Sequence, residues 1–514
     1  MRGATFSLFA PVARAVVLIL ALGALVIALW VAVARNLDLP WTSIRLAPAF
    51  AFARGLPLFT MPDQPPWVMV GYGPLYPLAY LPAVWARHPA PAVVTATLLA
   101  QFCVLAPVGL LCSLLRHRNA APAGEHRAPW LAMALAFALI SHLVPSLAYA
   151  TAGVHADAPA FGLLLLACYA VLRAGRAKES RMRRWLLGAG VAVGLSAACK
   201  LNFAAGILAL LVWVLRFHGW KRGAEFFAAS VVAVMVGYGW EGLRDGFTPL
   251  FLNLTLTGPM PWFTFSDTET MALSGISPEF SDKLRTFLAF GRDYVKVYGP
   301  LALAIAVLGA VRGKSEDEAA NLRIVWLFFF LALFLTPISI ASVAKYGGDV
   351  NSCALVSLPL ALAALFALAS VARAGHAVAR YAIYAALAGA SFMIALPARD
   401  HRAKLWPKTT PTMVEAYEVI SADPTRWYFP YDPLAHLLAD GKFRPNIDVV
   451  YTYAVTGHPV DEAAFRSVLP EELRYLALPP SGTEWGVTEL NRLLPEYNQP
   501  APGLTFERHS VYTR

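Results

Sequence analysis

Apolar residues run along this chain in blocks long enough to cross a bilayer, and polar residues fall at intervals set by those blocks. A window of about 19 residues predicts spans near 13–34, 91–115, 129–149, 158–174, 186–199, 202–216, 224–241, 298–312, 324–343, 352–372 and 381–397. Three double-length stretches share one layout. Each begins and ends beside Arg or Lys and carries isolated polar groups at its midpoint: His155 and Asp157 in 129–174, Lys200 in 186–216, and Lys345 and Asp349 in 324–372. Basic flanks stay cytoplasmic, so each stretch is expected to cross the membrane and return, which gathers the midpoint groups on the opposite face. The pattern predicts a polytopic α-helical membrane protein of about eleven transmembrane helices, N-terminus cytoplasmic and C-terminus outside.

The stretch around Lys200 is the most demanding. Each arm has about 15 residues, which at 1.5 Å per residue covers only about 22 Å of a ~30 Å hydrocarbon layer. The turn at Lys200, Leu201 and Asn202 is therefore expected below the outer surface, where irregular backbone and a cation are tolerated only inside protein or beside a wet cavity. A single long helix with Lys200 snorkelling is the alternative, but it leaves Lys221 and Arg222 on the wrong side.

Two outward loops follow from this layout. The first, about residues 35–90, contains two short apolar helices, Trp41–Arg54 and Leu75–Arg87, expected to lie in the interfacial plane. The second, roughly 243–297, carries Trp262, Phe263 and Phe265 near Asp267 and Glu269. From about 398 the charge density becomes ordinary. There β-rich runs (Arg426–Tyr431, Leu473–Leu478, Phe506–Tyr512) alternate with helical segments such as Thr412–Ile420, which predicts a small α/β extracytoplasmic domain over 398–514 after a membrane domain over 1–397. No internal repeat and no nucleotide-binding glycine loop is present; the pair Gly347–Gly348 is too weak a signal to count.

Composition agrees. Of 514 residues, 58% are hydrophobic and 14% charged, and the mean hydropathy is +0.55, far from a soluble globule. The net charge of +10 does not indicate nucleic acid, because Lys and Arg cluster in short loops between apolar spans, where they set topology. The five cysteines fall within or beside apolar spans, so no disulfide framework is expected. Arg2 and Arg14 flank the start of an apolar run from Ala13 to Ala34, long enough to be an uncleaved first helix of a protein in the cell inner membrane.

Several polar residues then need an explanation. Asp38, directly after the first predicted helix, is placed to take a proton from an acceptor or to hold a metal, or else to cap the helix beginning near Pro40. Asp157 lies in a tight turn before Pro159 and has the same two readings; His155 has the spacing to assist it. Lys200 and Lys345 are cations on the face where a phosphate would dock. Arg244 and Arg292 share that reading but suit a solvated or interfacial role better. Lys345–Asn351 places two glycines between Lys345 and Asp349, permitting a tight turn and close ligand approach at Asp349 and Asn351, or a structural hairpin alone. Tyr72 and Tyr76, in Tyr72-Gly73-Pro74-Leu75-Tyr76-Pro77, either wall a lipid or sugar site or sit at the interface.

Taken in order, these residues resemble the GT-C superfamily of membrane glycosyltransferases, the class that includes protein O-mannosyltransferases (glycosyltransferase family 39) and bacterial lipid A aminoarabinose transferases. The likeness spans roughly residues 10–400. It rests on Asp38 after the first helix, Gly-Leu-Pro-Leu-Phe at 55–59, the YGPLYP run at 72–77, Asp157 after the third span, Ala-Gly-Val-Ala-Val-Gly-Leu at 189–195 leading to Lys200, and the hairpin 345–351. The resemblance implies a polyprenyl-phosphate-linked sugar donor, reaction on the outer (periplasmic) face, Asp38 as catalytic base, Asp157 as second acidic residue, and Lys200 and Lys345 as phosphate contacts. The acceptor stays open between lipid, protein and polysaccharide. Leu39 stands where many relatives have Glu, which weakens the expectation of a divalent cation as cofactor and leaves metal use open. Two other classes remain: a transporter or flippase for a lipid-linked or anionic substrate, which inverted repeats would favour, and a non-catalytic partner in envelope assembly.

Overall fold

The computed structural model describes residues 4–69, 71–114, 128–257, 280–310, 316–344, 350–373, 377–400, 410–479, 486–501, 504, 506 and 508–514. Among the described residues, the predicted spans lie on helix apart from the break at Val144. The helices are α1 (Ala4–Asp38), α2 (Pro40–Ala53), α3 (Pro89–Ser113), α4 (Ala128–Leu143), α5 (Pro145–Ala152), α6 (Asp157–Ala174), α7 (Glu179–Cys199), α8 (Ala204–Asp245), α9 (Phe247–Thr257), α10 (Phe280–Ala310), α11 (Glu316–Ala344), α12 (Ala354–Arg373) and α13 (Ala377–Asp400). Among the described residues, six helices are long and apolar enough to cross a membrane, or seven if the bent pair α4–α5 is one span. The chain is a polytopic α-helical membrane protein.

Two breaks in the helices shape the bundle. The span predicted as straight over 129–149 is bent by 107° between α4 and α5. Pro145 opens α5 and the preceding Val144 is extended (φ −89, ψ 115), because a residue before proline is driven out of the helical region. The second break is inside α8, where Gly219 has φ 80 and ψ 173. The chain reverses there: a Cβ on Gly223 would meet the side chains of Leu215 and Leu211 from the preceding arm. The second arm then runs alongside α7 in the same direction, Phe226 beside Gly190, Ser230 beside Gly194 and Gly237 beside Ala198. At the reversal Arg222 pairs with Glu179 and Glu225, and Arg183 lies 3.3 Å from Glu225. Lys200 ends α7 in an extended conformation (φ −155, ψ 119), so a single long helix through 186–216 is ruled out and the two-armed reading holds.

The glycines of the 189–195 run have a packing reason. A Cβ on Gly190 would sit 2.4 Å from the carbonyl oxygen of Phe226, and one on Gly194 2.4 Å from that of Ser230. This spacing of four lets two helix backbones approach where side-chain packing, not the hydrophobic effect, drives association in lipid.

The C-terminal region is a small α/β unit. Its four strands, β1 (Trp427–Tyr428), β2 (Tyr475–Leu478), β3 (Gln499–Pro500) and β4 (Ser510–Thr513), pair in the order β1-β2-β4-β3. β1 runs parallel to β2, with Tyr428 opposite Leu476, and the other pairings are antiparallel. Around the sheet lie α14 (Thr412–Ala422), α15 (Pro433–Ala439), α16 (Ile447–Val455), α17 (Glu462–Ser467) and α18 (Val487–Leu493). Its core includes Tyr428, Tyr453, Phe465, Leu476 and Leu490, together with Trp67 from the first loop. Trp67 is fully buried and stacks on Phe465.

This docking corrects two expectations. The segment expected as an interfacial helix at Trp41–Arg54 is α2, and it is buried along most of its length. The Leu434 amide donates to Ser43 Oγ, Arg54 donates to the Leu437 carbonyl, and Asn446 donates to the carbonyls of Trp67 and Val68. A helix apolar on all sides needs cover, and here the C-terminal unit supplies it. The second expected surface helix is a 3₁₀ helix, Tyr76–Trp85, with Tyr76, Pro77, Tyr80 and Ala83 buried; Pro82, inside it, removes a donor that an α-helix needs.

Inside the C-terminal unit, His509 Nδ1 lies 2.6 Å from Glu415 and Nε2 lies 3.6 Å from Asp432. Burial opposes the charged imidazole, but hydrogen bonding and attraction from the two carboxylates outweigh it and raise its pKa above 6.5. Burial, with nearby Arg444, pushes His436 down to about 3, so it stays neutral and accepts the Phe429 amide on Nε2.

Two predictions follow from this packing. Gly194→Leu should lower thermal stability in detergent by about 1–3 kcal/mol through overpacking, whereas Gly188→Ala, with nothing within 4 Å of the new Cβ, should not. For His509, a raised folded pKa contributes stability that is complete below the unfolded value near 6.5 and is lost as pH rises through the folded one. The melting midpoint should therefore fall as pH is raised above that range, and His509→Gln should flatten the dependence.

Candidate active site

α5 ends at Gly153, where a Cβ would lie 2.4 Å from the Tyr149 carbonyl oxygen, and the chain turns through His155 into α6. Neither helix that follows the two key aspartates uses them as caps: the N-cap of α6 is Ala156 and that of α2 is Leu39, and neither makes a side-chain cap bond. Asp157 instead points sideways and is 2% exposed. Its Oδ1 accepts from Lys200 Nζ at 2.6 Å. Its Oδ2 accepts from Asn351 Nδ2 at 2.8 Å and lies 2.7 Å from His155 Nδ1. The three double-length stretches thus meet at one carboxylate, the first through Asp157 and His155, the second through Lys200 and the third through Asn351.

That geometry sets the state of His155. Burial pulls its pKa below the ordinary value despite the opposing attraction of Asp157, so the ring is neutral. The 2.7 Å approach of Nδ1 to Asp157 Oδ2 requires the proton on Nδ1, which leaves Nε2 to accept from the Tyr72 hydroxyl at 3.0 Å. Tyr80 completes the frame: its hydroxyl donates to the His155 carbonyl at 2.7 Å and lies 3.1 Å from the His155 amide.

Tyr72 is held there by the end of α7. The Gly73 amide donates to the Cys199 carbonyl and the Leu75 amide to that of Ala198. These are carbonyls that a helix terminus leaves without an intrahelical partner. A Cβ at Gly73 would lie 2.0 Å from the Ala198 oxygen, so only glycine permits this approach. The result sets the Tyr72 ring against the cation of Lys200, 5.8 Å from Nζ, and edge-on to His155 and Tyr76.

A further cation at this place was missed from the sequence. Arg45, on α2, stands over the Tyr72 ring at 4.5 Å and the Trp41 ring at 4.9 Å. Its Nη1 donates to Asp448 of α16 at 2.5 Å. The signal was available for Arg45, a lone cation in an otherwise apolar helix; nothing in Ile447-Asp448-Val449 marks Asp448 as its partner.

Among the described residues, Asp38 makes no hydrogen bond or ion pair with Asp157, Lys200, His155 or Asn351. It closes α1, and its carboxylate faces Arg508 of the C-terminal unit at 3.7 Å. Two residues earlier, Asn36 donates to the carbonyl of Ala152 at the end of α5, which fixes the end of α1 against the turn carrying His155. Lys345 and Asp349 lie outside the described residues. Arg244 is engaged by Glu241 and Asp245, and Asp245 also accepts the amides of Leu58 and Phe59, anchoring the 55–59 run. Arg292 is exposed beside Asp293. Among the described residues, no group of three or more His, Cys, Asp or Glu is arranged to hold a metal ion. Asp157 is a poor metal ligand here, since its oxygens already face three donors, one of them a cation.

Chemically, the arrangement holds an ammonium group and a guanidinium over one tyrosine ring, each tethered by a buried carboxylate. Such a surface suits an anionic group with apolar surroundings.

Among solved structures, ArnT from Cupriavidus metallidurans bound to undecaprenyl phosphate matches 96% of this chain and 97% of its own at 11% identity, with a TM-score of 0.44. The archaeal oligosaccharyltransferase AglB from Archaeoglobus fulgidus, in complex with an inhibitory peptide and a dolichol-phosphate, matches 95% of this chain and 74% of its own at 12% identity, with a TM-score of 0.42. The apo form of the Archaeoglobus fulgidus oligosaccharyltransferase gives 12% identity and a TM-score of 0.39. No family model and no curated protein matches the chain. Likeness at this level assigns neither a site nor a reaction.

The buried pair gives a direct test. Lys200→Met or Asp157→Asn alone should cost about 3–5 kcal/mol by leaving an uncompensated buried group, while the two together should recover most of it. Thermal unfolding of the four proteins in one detergent measures the cycle.

Proposed function

We propose that the chain is an inverting membrane glycosyltransferase that moves a sugar from a polyprenyl-phosphate donor to an acceptor at the extracytoplasmic face. The single observation that supports this most is the convergence of Lys200, His155 and Asn351 on buried Asp157, under an aromatic first loop and at the end of α7 opposite its arginine-rich start. A buried charge pair maintained at such a position in a membrane protein marks a substrate pathway or reaction site. In this reading the membrane part, 1–397, carries the chemistry with its N-terminus in the cytoplasm, and 398–514 covers it from outside.

The acceptor hydroxyl or amine attacks the anomeric carbon of the donor. As that bond forms, the bond from the anomeric carbon to the phosphate oxygen breaks and its electron pair leaves on the phosphate. Asp38 takes the acceptor proton. Lys200 meets the charge growing on the phosphate, the electrostatic contribution that is usually the largest in such transfers. Asp157 acts through Lys200 and His155: it orients the ammonium and fixes the tautomer by which His155 holds Tyr72. Lys345 and Asp349 are proposed, from the family resemblance alone, to line the same chamber. A single displacement without a covalent enzyme intermediate inverts the anomeric centre.

Asp38→Asn should lower kcat for sugar transfer by about 10²–10⁴-fold, the range for loss of a general base, with membrane insertion and melting midpoint unchanged. Turnover is read with a synthetic short-chain prenyl-phosphate sugar and a panel of lipid, peptide and saccharide acceptors. Retained turnover in this variant would remove Asp38 from the role of base.

A further inference from the structure

Arg45 is 8% exposed and Tyr76 is fully buried. Arg45 Nε and the Tyr76 hydroxyl are both buried and have no hydrogen-bond partner among the described residues. They flank one ring: Tyr76 lies edge-on to Tyr72 with ring centres 5.7 Å apart, and Arg45 covers the same Tyr72 ring at 4.5 Å. Lys200 Nζ stands 5.8 Å from that ring. Both can donate, and a buried donor that meets no acceptor is costly.

We propose that Arg45 and the Tyr76 hydroxyl, with Lys200 over the same Tyr72 ring, form a clasp for a phosphate monoester, and that Asp448 of the C-terminal unit holds the Arg45 fork in place until the phosphate arrives. This rests on the phosphate-donor reading and adds residues that it does not use. The ligand class follows from the donors. A guanidinium presents a planar fork matched to two phosphate oxygens, an ammonium is a point charge, and a neutral hydroxyl supplies a directed bond. Trp41 and Tyr72, on which the guanidinium rests, keep it flat and shielded from water, so a charge-assisted bond made there counts for more than at a surface. Asp448 competes with the phosphate for the same guanidinium. A carboxylate that only stabilised the fold would have no such opposing role, and this gives the two residues opposite expected effects on binding.

The test measures binding of two probes, farnesyl phosphate and inorganic phosphate, to the full chain in detergent by calorimetry. Wild-type protein should bind farnesyl phosphate, and binding of inorganic phosphate at similar affinity would identify free phosphate, not a lipid headgroup, as the source of the anion. Arg45→Gln should weaken binding roughly ten- to a hundredfold, the loss of a charged hydrogen-bond donor. Tyr76→Phe should weaken it less, and Asp448→Asn should tighten it. Arg45→Lys, which keeps the charge without the fork, should fold and bind with intermediate strength, so the result does not depend on Arg45→Gln folding well. Wild-type binding with Arg45→Gln and Arg45→Lys unaltered would overturn the clasp and leave the glycosyl-transfer reading standing. Asp448→Asn weakening binding in parallel with Arg45→Gln would also overturn it, by showing the pair to be a structural tie. No binding of either probe by the wild-type protein would sink both the clasp and the donor reading.

Discussion

A carboxylate with 2% exposure among membrane helices is costly unless every lone pair is met and its charge is balanced. Asp157 meets both conditions only because Lys200, His155 and Asn351 reach it from separate parts of the chain. Each of these partners must leave regular helix to do so. Lys200 ends α7 in an extended conformation, His155 stands in the turn between α5 and α6, and Asn351 lies in a short 3₁₀ helix (Val350–Cys353) before α12. The interruptions at one end of the bundle are thus a consequence of a single buried charge.

The same constraint reaches outward through aromatic rings. His155 fixes Tyr72, the α7 carbonyls fix Gly73 and Leu75, and Tyr72 in turn offers its face to both Lys200 and Arg45. Arg45 is tied to Asp448, so the C-terminal unit is coupled to the Asp157 group through one ring and one ion pair. Trp67 in the C-terminal core and the bonds from Asn446 to the Trp67 and Val68 carbonyls give the first loop and the C-terminal unit a shared core. Asp38, facing Arg508, lies at a second seam between the same two parts.

At the other end of α7 the chemistry is different in kind. Glu179, Arg183, Arg222 and Glu225 form ion pairs at the Gly219 reversal, and exposed pairs of this sort contribute little stability. The two ends are roughly 30 Å apart along a helix of this length. Between them the glycine spacing on α7 lets the second arm of α8 pack closely, so the charged groups are separated by an apolar layer held by backbone-to-backbone fit.

Span positions, the reversal near 216–222 and the β-rich runs of the C-terminal region were legible in the sequence because they depend on local composition and on basic residues near the break. So was the gathering of His155, Asp157 and Lys200, since each interrupts an apolar stretch at its midpoint and lipid tolerates such a charge only beside a partner. The bend before Pro145 was visible as a proline but its angle was not. Burial of α2, the pairing of Arg45 with Asp448, and the meeting of Asp38 with Arg508 were decided by tertiary structure alone. Arg45 and Asp448 lie 403 residues apart and Asp38 and Arg508 farther still, and no local pattern encodes which covering surface a helix apolar on every side will find.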